Sequence, residues 1–176
     1  WVLGQPDFDS NAVVLDEFGM TNPRGVAHDP TTDRLYVGSQ DHERVLVYDL
    51  SGGIANGMAA SWVLGQEDFT SEGSNLDQDG LGVANNVALD VDNQRLFVDD
   101  STFNRVMVFD VATIDNGEDA VNVIGQEDFT SGGSDLDQDS LDFSGIFGNG
   151  LDYAEDVNLL YVGDGSNRRI LVFDAN

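Results

Sequence analysis

An eight-residue motif occurs three times along the chain, and it constrains the fold more than any other feature. Trp-Val-Leu-Gly-Gln-Pro-Asp-Phe at residues 1–8 returns at residues 62–69 and, slightly changed, at residues 122–129. The three copies therefore start 61 and then 60 residues apart. Self-similarity at a fixed period indicates one supersecondary unit that is stacked several times, because each unit buries its apolar face against its neighbours.

Three more short segments recur in every period, and all are rich in β-branched and aromatic residues. The first is 26–29, repeated as 87–90 and 151–154; the second is 34–37, repeated as 95–98 and 159–162; the third is 44–49, repeated as 105–110 and 169–174. Clusters of Gly, Asn, Asp and Ser separate them, which is typical of strands joined by turns. Four short strands in sequential order form an antiparallel meander, and meanders arranged radially make a β-propeller. We therefore predict an all-β fold with three four-stranded antiparallel blades of about 60 residues.

These segments resemble the NHL-repeat β-propellers, in the bacterial form that carries an outer Val-Leu-Gly-Gln-Pro-Asp-Phe strand. The resemblance is carried by Gly25 to Asp29, Arg95 to Val98 and Asn104 to Phe109, and it covers essentially the whole chain. Departures occur in the turns, where Ser39 replaces the usual Asp and where Glu43 and Arg168 replace the usual Asn. The resemblance implies a propeller that serves as a binding platform.

The order of the strands predicts how the blades are divided. Residues 1–176 form the propeller region, in which 1–8 is an outer strand that completes the last blade, 9–69 is blade one, 70–129 is blade two, and 130–176 is blade three without its outer strand. Three blades fall below the usual four to eight. The chain is therefore either half of a six-bladed ring made by two copies or a segment of a longer propeller. Closure by exchange pairs Trp1, Val2, Leu3, Gly4 and Gln5 with Arg169, Ile170, Leu171, Val172 and Phe173.

The composition is strongly acidic, with 33 acidic and 7 basic residues and a formal net charge of −26. Such a surface repels nucleic acid and anionic lipid. No apolar run has the length of a membrane helix, so we expect no membrane insertion. Salt or bound cations would relieve the repulsion, which suits a saline setting. The plainer interpretation is that the acids lie in solvated loops and confer solubility.

Two acidic loops are the candidate metal sites, with calcium as the candidate cofactor. Oxygen-bearing side chains alternate in both loops, as they do at the start of a calcium-binding loop. The match then fails, because a bidentate Glu is absent at the twelfth position, where Asn86 and Ile146 stand instead. The alternative is a polar connection stabilised by Asx turns. The predicted ligands are Asn75, Asp77, Asp79, Asp135, Asp137 and Asp139.

Catalytic residues are not predicted. The chain has no Cys and no Lys, and its two histidines occur singly: His28 in an inner strand and His42 in a turn that we expect to be exposed. Arg44, Arg105 and Arg169 begin the third strands, where we expect a bidentate bond to a carboxylate such as Asp100 or Asp164 to brace the hairpin.

Two aromatic residues without counterparts in the other units are the candidate interaction residues. Phe143 and Phe147 lie in a Gly-rich loop that precedes an inner strand, and we expect that loop at the mouth of the central channel.

These features favour a non-enzymatic scaffold or interaction module, extracellular or at a cell surface, with a protein or carbohydrate partner. The first alternative is a calcium-dependent propeller lyase or lactonase, for which the inner strands offer few converging ligands. The second alternative is a self-assembling structural subunit, in which open ends pair from chain to chain as a closed dimer or as a filament.

Overall fold

The structure is a computed structural model that describes residues 1–145 and 149–176. The described residues contain eleven strands, which form three antiparallel sheets, and one turn of 3-10 helix at Gln40–His42. Blade one contains β1 (Pro23–Asp29), β2 (Arg34–Ser39), β3 (Arg44–Asp49) and β4 (Trp62–Leu64); blade two contains β5 (Ala84–Asp90), β6 (Arg95–Asp100), β7 (Arg105–Asp110) and β8 (Asn122–Ile124); blade three contains β9 (Leu151–Ala154), β10 (Leu159–Asp164) and β11 (Arg169–Asp174).

Each sheet is a meander in which every strand pairs with the next one along the chain. The sheets stand side by side, because inner strand β1 packs on β5 and β5 packs on β9. This radial arrangement is that of propeller blades, so the predicted fold class is confirmed. In the described part of the chain, no helix is long and apolar enough to span a membrane.

The outer motif forms shorter strands than its length suggests. Only three residues of the second and third copies pair with the third strand of their blade, with Leu46 opposite Val63 in blade one and Met107 opposite Val123 in blade two. The following Gly ends each strand with a positive φ, +84° at Gly65 and +88° at Gly125. A left-handed residue turns the backbone out of the sheet, and Gly adopts it without a Cβ clash.

The hydrophobic core lies in layers between the blades. One layer combines Tyr36 and Val47 of blade one with Leu96 and Phe109 of blade two, all of them buried. A second layer lies between blades two and three, where the Phe97 ring centroid is 5.3 Å from that of Tyr153. The recurring aromatic residues are thus packing residues, as the repeat pattern indicates.

The N-terminal motif lies alongside blade one and forms no strand. The carbonyl of Val2 accepts a hydrogen bond from the Gly57 N–H at 2.9 Å, and the Val2 N–H donates to Asn56 Oδ1 at 3.1 Å. Leu3 packs against the outer core layer of blade one. In the described residues β11 has no strand on its outer side, so the predicted closure by residues 1–5 stays a prediction.

Candidate functional site

The arginine that begins each third strand holds its blade together. In blade two, Arg105 is fully buried and its Nε donates to Asp100 Oδ2 at 2.8 Å. Its Nη1 donates to the carbonyl of Phe129 at 2.6 Å, and its Nη2 donates to the carbonyl of Gly80 at 3.0 Å. One guanidinium therefore joins the second strand, the outer motif and the loop before the inner strand. The predicted ion pair is present, but it uses a single carboxylate contact, because backbone carbonyls take the other donors.

The same arrangement recurs in the other two blades with local changes. In blade three, Arg169 Nε donates to Asp164 Oδ2 at 2.6 Å. In blade one Ser39 stands in place of the Asp, and its hydroxyl accepts the Thr21 N–H at 3.0 Å. Arg44 there donates to the backbone carbonyls of Asp16, Gly19 and Phe69. A role that recurs at every equivalent position is structural, as the repeat pattern predicts.

The acidic loops turn their backbones toward these arginines. The carbonyls of Asn75 and Asp77 lie 3.4 Å from Arg105 Nη2, and in the next blade the Asp137 carbonyl accepts from Arg169 Nη2 at 2.7 Å. In blade three the predicted ligands Asp135, Asp137 and Asp139 are exposed, and all three line one shallow depression. The equivalent depression of blade two is lined by Asn75 and Asp79 but not by Asp77. Across 1–145 and 149–176, no three His, Cys, Asp or Glu side chains are placed to hold a metal ion. Calcium binding by these loops stays a prediction.

A cavity of about 310 Å³ opens where the three inner strands begin, and we call it the inner pocket. It is lined by Arg24, Asn85, Asn86, Ser101, Phe143 and Asn149. Arg24, Asn85 and Asn149 occupy equivalent positions in the three blades, each two residues before the first residue of the recurring inner-strand segment. The propeller arrangement thus brings three polar side chains together from positions 24, 85 and 149.

Asp99 anchors the polar network beneath the inner pocket. Its carboxylate accepts a hydrogen bond from Ser101 Oγ at 2.7 Å and another from Asn86 Nδ2 at 3.2 Å. Asp99 is 1% exposed, and no Arg forms an ion pair with it in the described residues. Burial raises the pKa of Asp99 to about 7, because desolvation disfavours the charged carboxylate.

The network sets the direction of the pocket's hydrogen-bonding groups. The single hydroxyl proton of Ser101 goes to Asp99, so Ser101 Oγ accepts from Asn85 Nδ2 at 2.7 Å. With its amide nitrogen held there, Asn85 keeps its Oδ1 as an acceptor without a partner among the described residues. Arg24 binds Gln40 Oε1 through Nε at 2.8 Å, which leaves both Nη groups as donors. A polar ligand therefore meets an acceptor and a fork of donors.

Sequence reasoning missed Asp99, although a signal was present. The equivalent positions in blades one and three are Gly38 and Gly163. A Cβ on Gly38 would lie 2.9 Å from the Ala84 carbonyl oxygen, and one on Gly163 would lie 2.8 Å from the Gly150 nitrogen. Blade two therefore places a carboxyl group where the other blades have no space for a side chain. A residue that breaks the repeat inside the core is a candidate functional residue, and comparison of the three blades in the sequence reveals it.

The two histidines differ in their burial. His28 is exposed, and its Nε2 lies 3.1 Å from Asp33 Oδ1. The prediction for His42 was wrong, since its ring is buried in the 3-10 turn, where burial lowers its pKa. Phe143 lines the inner pocket, but its side chain is buried in the core layer between blades two and three. Phe147 lies outside the described residues.

The three radially arranged antiparallel sheets place this chain among β-propeller proteins. No protein-family model matches the sequence, and no curated protein matches it. A search of solved structures finds a crystal structure of a nidogen/laminin complex, with 14% sequence identity and a TM-score of 0.49. The match covers 88% of this chain and 49% of the other chain, so this chain spans about half the length of that structure.

Proposed function

We propose that this chain is a non-enzymatic binding module of a β-propeller and that its ligand site is the inner pocket. The observation that carries the proposal is Asp99, a buried carboxyl group in place of the Gly found in both other blades. Burial of such a group lowers the stability of the fold. In this position the group also orients a set of hydrogen-bonding groups around a cavity.

The ligand class follows from these groups. Thr102 also lines the pocket. Its hydroxyl, Asn85 Oδ1 and the Arg24 guanidinium suit hydroxyl and amide groups, which carbohydrates and exposed peptide backbones present. The formal net charge of −26 repels polyanions at long range. We therefore propose an uncharged carbohydrate or a protein segment of low charge as the partner, met outside the cell or at its surface.

A binding role also agrees with the chemistry of the pocket. In the inner pocket the Ser101 hydroxyl donates to the buried Asp99 at 2.7 Å, and no His contacts Ser101 in the part of the chain that the structure describes. A serine nucleophile needs an adjacent base that accepts its proton and is oriented by a third group. Asp99 is placed to accept that proton, but Asn85 Nδ2 and Asn149 Nδ2 both donate to Ser101 Oγ, at 2.7 Å and 3.4 Å, and so engage the lone pairs that a nucleophile would use.

The test begins with an array of uncharged oligosaccharides and peptides, followed by calorimetric titration of the hits. We expect Asn85→Ala and Arg24→Ala to weaken binding of a hit by roughly 5- to 30-fold each, since each removes about 1–2 kcal/mol of hydrogen bonding. Asn11→Ala, at an exposed position that does not line the pocket, is the matched control. Hits whose affinity is the same in all three variants would refute the pocket as the site, and so would the absence of any hit.

A further inference from the structure

Neutral groups hold the carboxyl group of Asp99 beneath the inner pocket. Its Oδ1 accepts from Ser101 Oγ at 2.7 Å, and its Oδ2 accepts from Asn86 Nδ2 at 3.2 Å. Asn86 lies on the neighbouring strand β5, and on the other side, on β7, Asp99 pairs with Val106. A buried carboxyl group in neutral surroundings takes up a proton more readily than one in water, because burial disfavours the charged form.

The charged side chains around Asp99 do not neutralise it. Asp100 follows it on β6, and the charge of that carboxylate opposes the ionisation of Asp99. Arg105 on β7 is bound to Asp100 at 2.8 Å. Arg24, from blade one, lines the inner pocket and donates to Gln40 at 2.8 Å. In the described residues none of these arginines pairs with Asp99, so its hydrogen-bonding partners respond most directly to its protonation.

Asn86 fixes the oxygen of Asp99 that carries the proton. The side-chain nitrogen of Asn86 also donates to the backbone carbonyl of Asn149. Rotation of the Asn86 amide would bring its oxygen against that carbonyl oxygen, so Nδ2 keeps facing Asp99 Oδ2. A proton on Oδ2 would meet this donor, whereas a proton on Oδ1 meets the oxygen of Ser101. The neutral carboxyl group therefore donates to Ser101.

Ser101 passes this change on to the amide of Asn85. With Asp99 ionised, Ser101 Oγ donates to it and accepts from Asn85 Nδ2 at 2.7 Å and from Asn149 Nδ2 at 3.4 Å. With Asp99 protonated, one lone pair of Oγ accepts from Asp99, so the Ser101 proton turns to an amide oxygen. Asn149 is buried with its Oδ1 packed against Gly165, whereas Asn85 is half-buried and lines the pocket. Asn85 therefore rotates, which turns its Oδ1 to Ser101 and its Nδ2 to the pocket.

We propose that Asp99 sets the ligand specificity of the inner pocket through Ser101 and Asn85: the pocket presents an acceptor while Asp99 is ionised and a donor in its place once Asp99 is protonated. This inference rests on the proposed function, because it names the groups that a ligand of that pocket must carry. With Asp99 ionised, Asn85 Oδ1 accepts a ligand hydroxyl or amide N–H beside the donor fork of Arg24. With Asp99 protonated, Asn85 Nδ2 and Arg24 both donate, so the site takes a carbonyl or another acceptor group.

The change of polarity falls close to neutral pH. Burial raises the pKa of Asp99 to about 7 and that of Asp100 to about 6. The Asp100 carboxylate contacts Arg105 and the Gly82 N–H and makes no hydrogen bond to Ser101 in the described residues, so its titration does not reach Asn85 by this route. Ligands that carry acceptor groups therefore gain affinity as the pH falls, and ligands that carry donor groups gain affinity as the pH rises.

The first experiment follows the side-chain amide of Asn85 by nuclear magnetic resonance from about pH 5 to about pH 9, with no ligand present. We expect its resonances to shift in one step, at the pH where the carboxyl carbon of Asp99 titrates. In Asp99→Asn they should stay at the low-pH position, because Asn86 Nδ2 holds the new side-chain oxygen and so directs the new nitrogen to Ser101. In Ser101→Ala, Asp99 should titrate without moving Asn85. Asn85 resonances that do not follow Asp99, or that follow it equally in Ser101→Ala, would overturn the proposal.

The second experiment titrates the protein with N,N-dimethylacetamide, an uncharged probe that accepts hydrogen bonds and donates none. The added hydrogen bond from Asn85 Nδ2 should make binding roughly 5-fold tighter at about pH 5 than at about pH 9. Asp99→Asn should bind the probe equally at both pH values, with the affinity of the unmodified protein at low pH. Equal affinity of the unmodified protein at both pH values, or no binding at either, would contradict the proposed specificity. The array tests whether the pocket has a ligand and the amide resonances need none, so the two proposals fail independently.

Discussion

At the scale of single residues, departures from the repeat are more informative than the repeat itself. Arg44, Arg105 and Arg169 recur and hold the blades together, so their role follows from the scaffold. Asp99 occurs once, is buried, and orients Ser101 and Asn86 at the inner pocket. Its carboxyl group has a pKa of about 7, because burial disfavours the charge. Stability must therefore depend on the protonation of this one side chain.

We predict that Asp99→Asn removes a pH dependence from the free energy of unfolding. The unfolded chain loses the Asp99 proton near pH 3.8, while the native protein keeps it until about pH 7. The unmodified protein thus loses stability from this group as the pH rises between those values, by up to about 4 kcal/mol at 1.36 kcal/mol per pKa unit. The free energy of unfolding of Asp99→Asn, measured in urea, therefore exceeds that of the unmodified protein by more at pH 8 than at pH 4. Exposed Asp152→Asn is the control, and a difference for Asp99→Asn that is equal at both pH values would contradict the assignment.

At the scale of the elements, each blade is a meander whose outer motif and leading loop are attached through one buried guanidinium. Arg105 contacts the end of β6, the residue that closes the outer motif, and the loop before β5. The order of strands and their pairing agree with the repeat pattern, because alternation and turn residues are local signals. The backbone carbonyls bound by Arg105 were not predictable, since they come from residues 24 to 30 positions away.

We predict that Arg105→Met costs about 3–5 kcal/mol of stability, because it leaves Asp100 buried without its cation. The double variant Asp100→Asn/Arg105→Met removes both charges and recovers part of that loss. Exposed Arg24→Met changes stability by less than about 0.5 kcal/mol. Chemical unfolding midpoints measure all three, and a double variant no more stable than Arg105→Met would show that the ion pair is not the cause.

At the scale of the whole molecule, 33 acidic and 7 basic residues produce a large excess of negative charge on three packed blades. Five arginines bind carboxylates or buried backbone carbonyls: Arg34, Arg44, Arg95, Arg105 and Arg169. The remaining surface is acidic, and its self-repulsion opposes the compact state.

We predict that sodium chloride stabilises the protein. Raising the ionic strength from about 0.01 M to about 1 M shortens the screening length from about 30 Å to about 3 Å, which reduces repulsion between separated carboxylates. The melting temperature should therefore rise with salt. A melting temperature that falls over this range would indicate that surface repulsion does not limit the stability.

We also predict a calcium-specific increase in melting temperature from the two acidic loops, because a ligand that binds only the native state stabilises it. The comparison is calcium against magnesium at equal ionic strength. Asp135→Asn/Asp139→Asn removes two of the predicted ligands in one loop and should reduce the increase, whereas Asp152→Asn should not. Equal melting temperatures in the two salts would refute calcium binding by the loops.

The sequence by itself determined the class of fold, the strand order, and the equivalence of the outer motifs, since repetition, alternation and turn residues are local properties of the chain. Tertiary structure decided the rest. It placed Arg24, Asn85 and Asn149 around one pocket, buried Asp99 and His42, and placed Trp1 to Leu3 against blade one. These outcomes depend on which blades are neighbours. Contacts between residues that are distant in the sequence cannot be predicted from local sequence patterns.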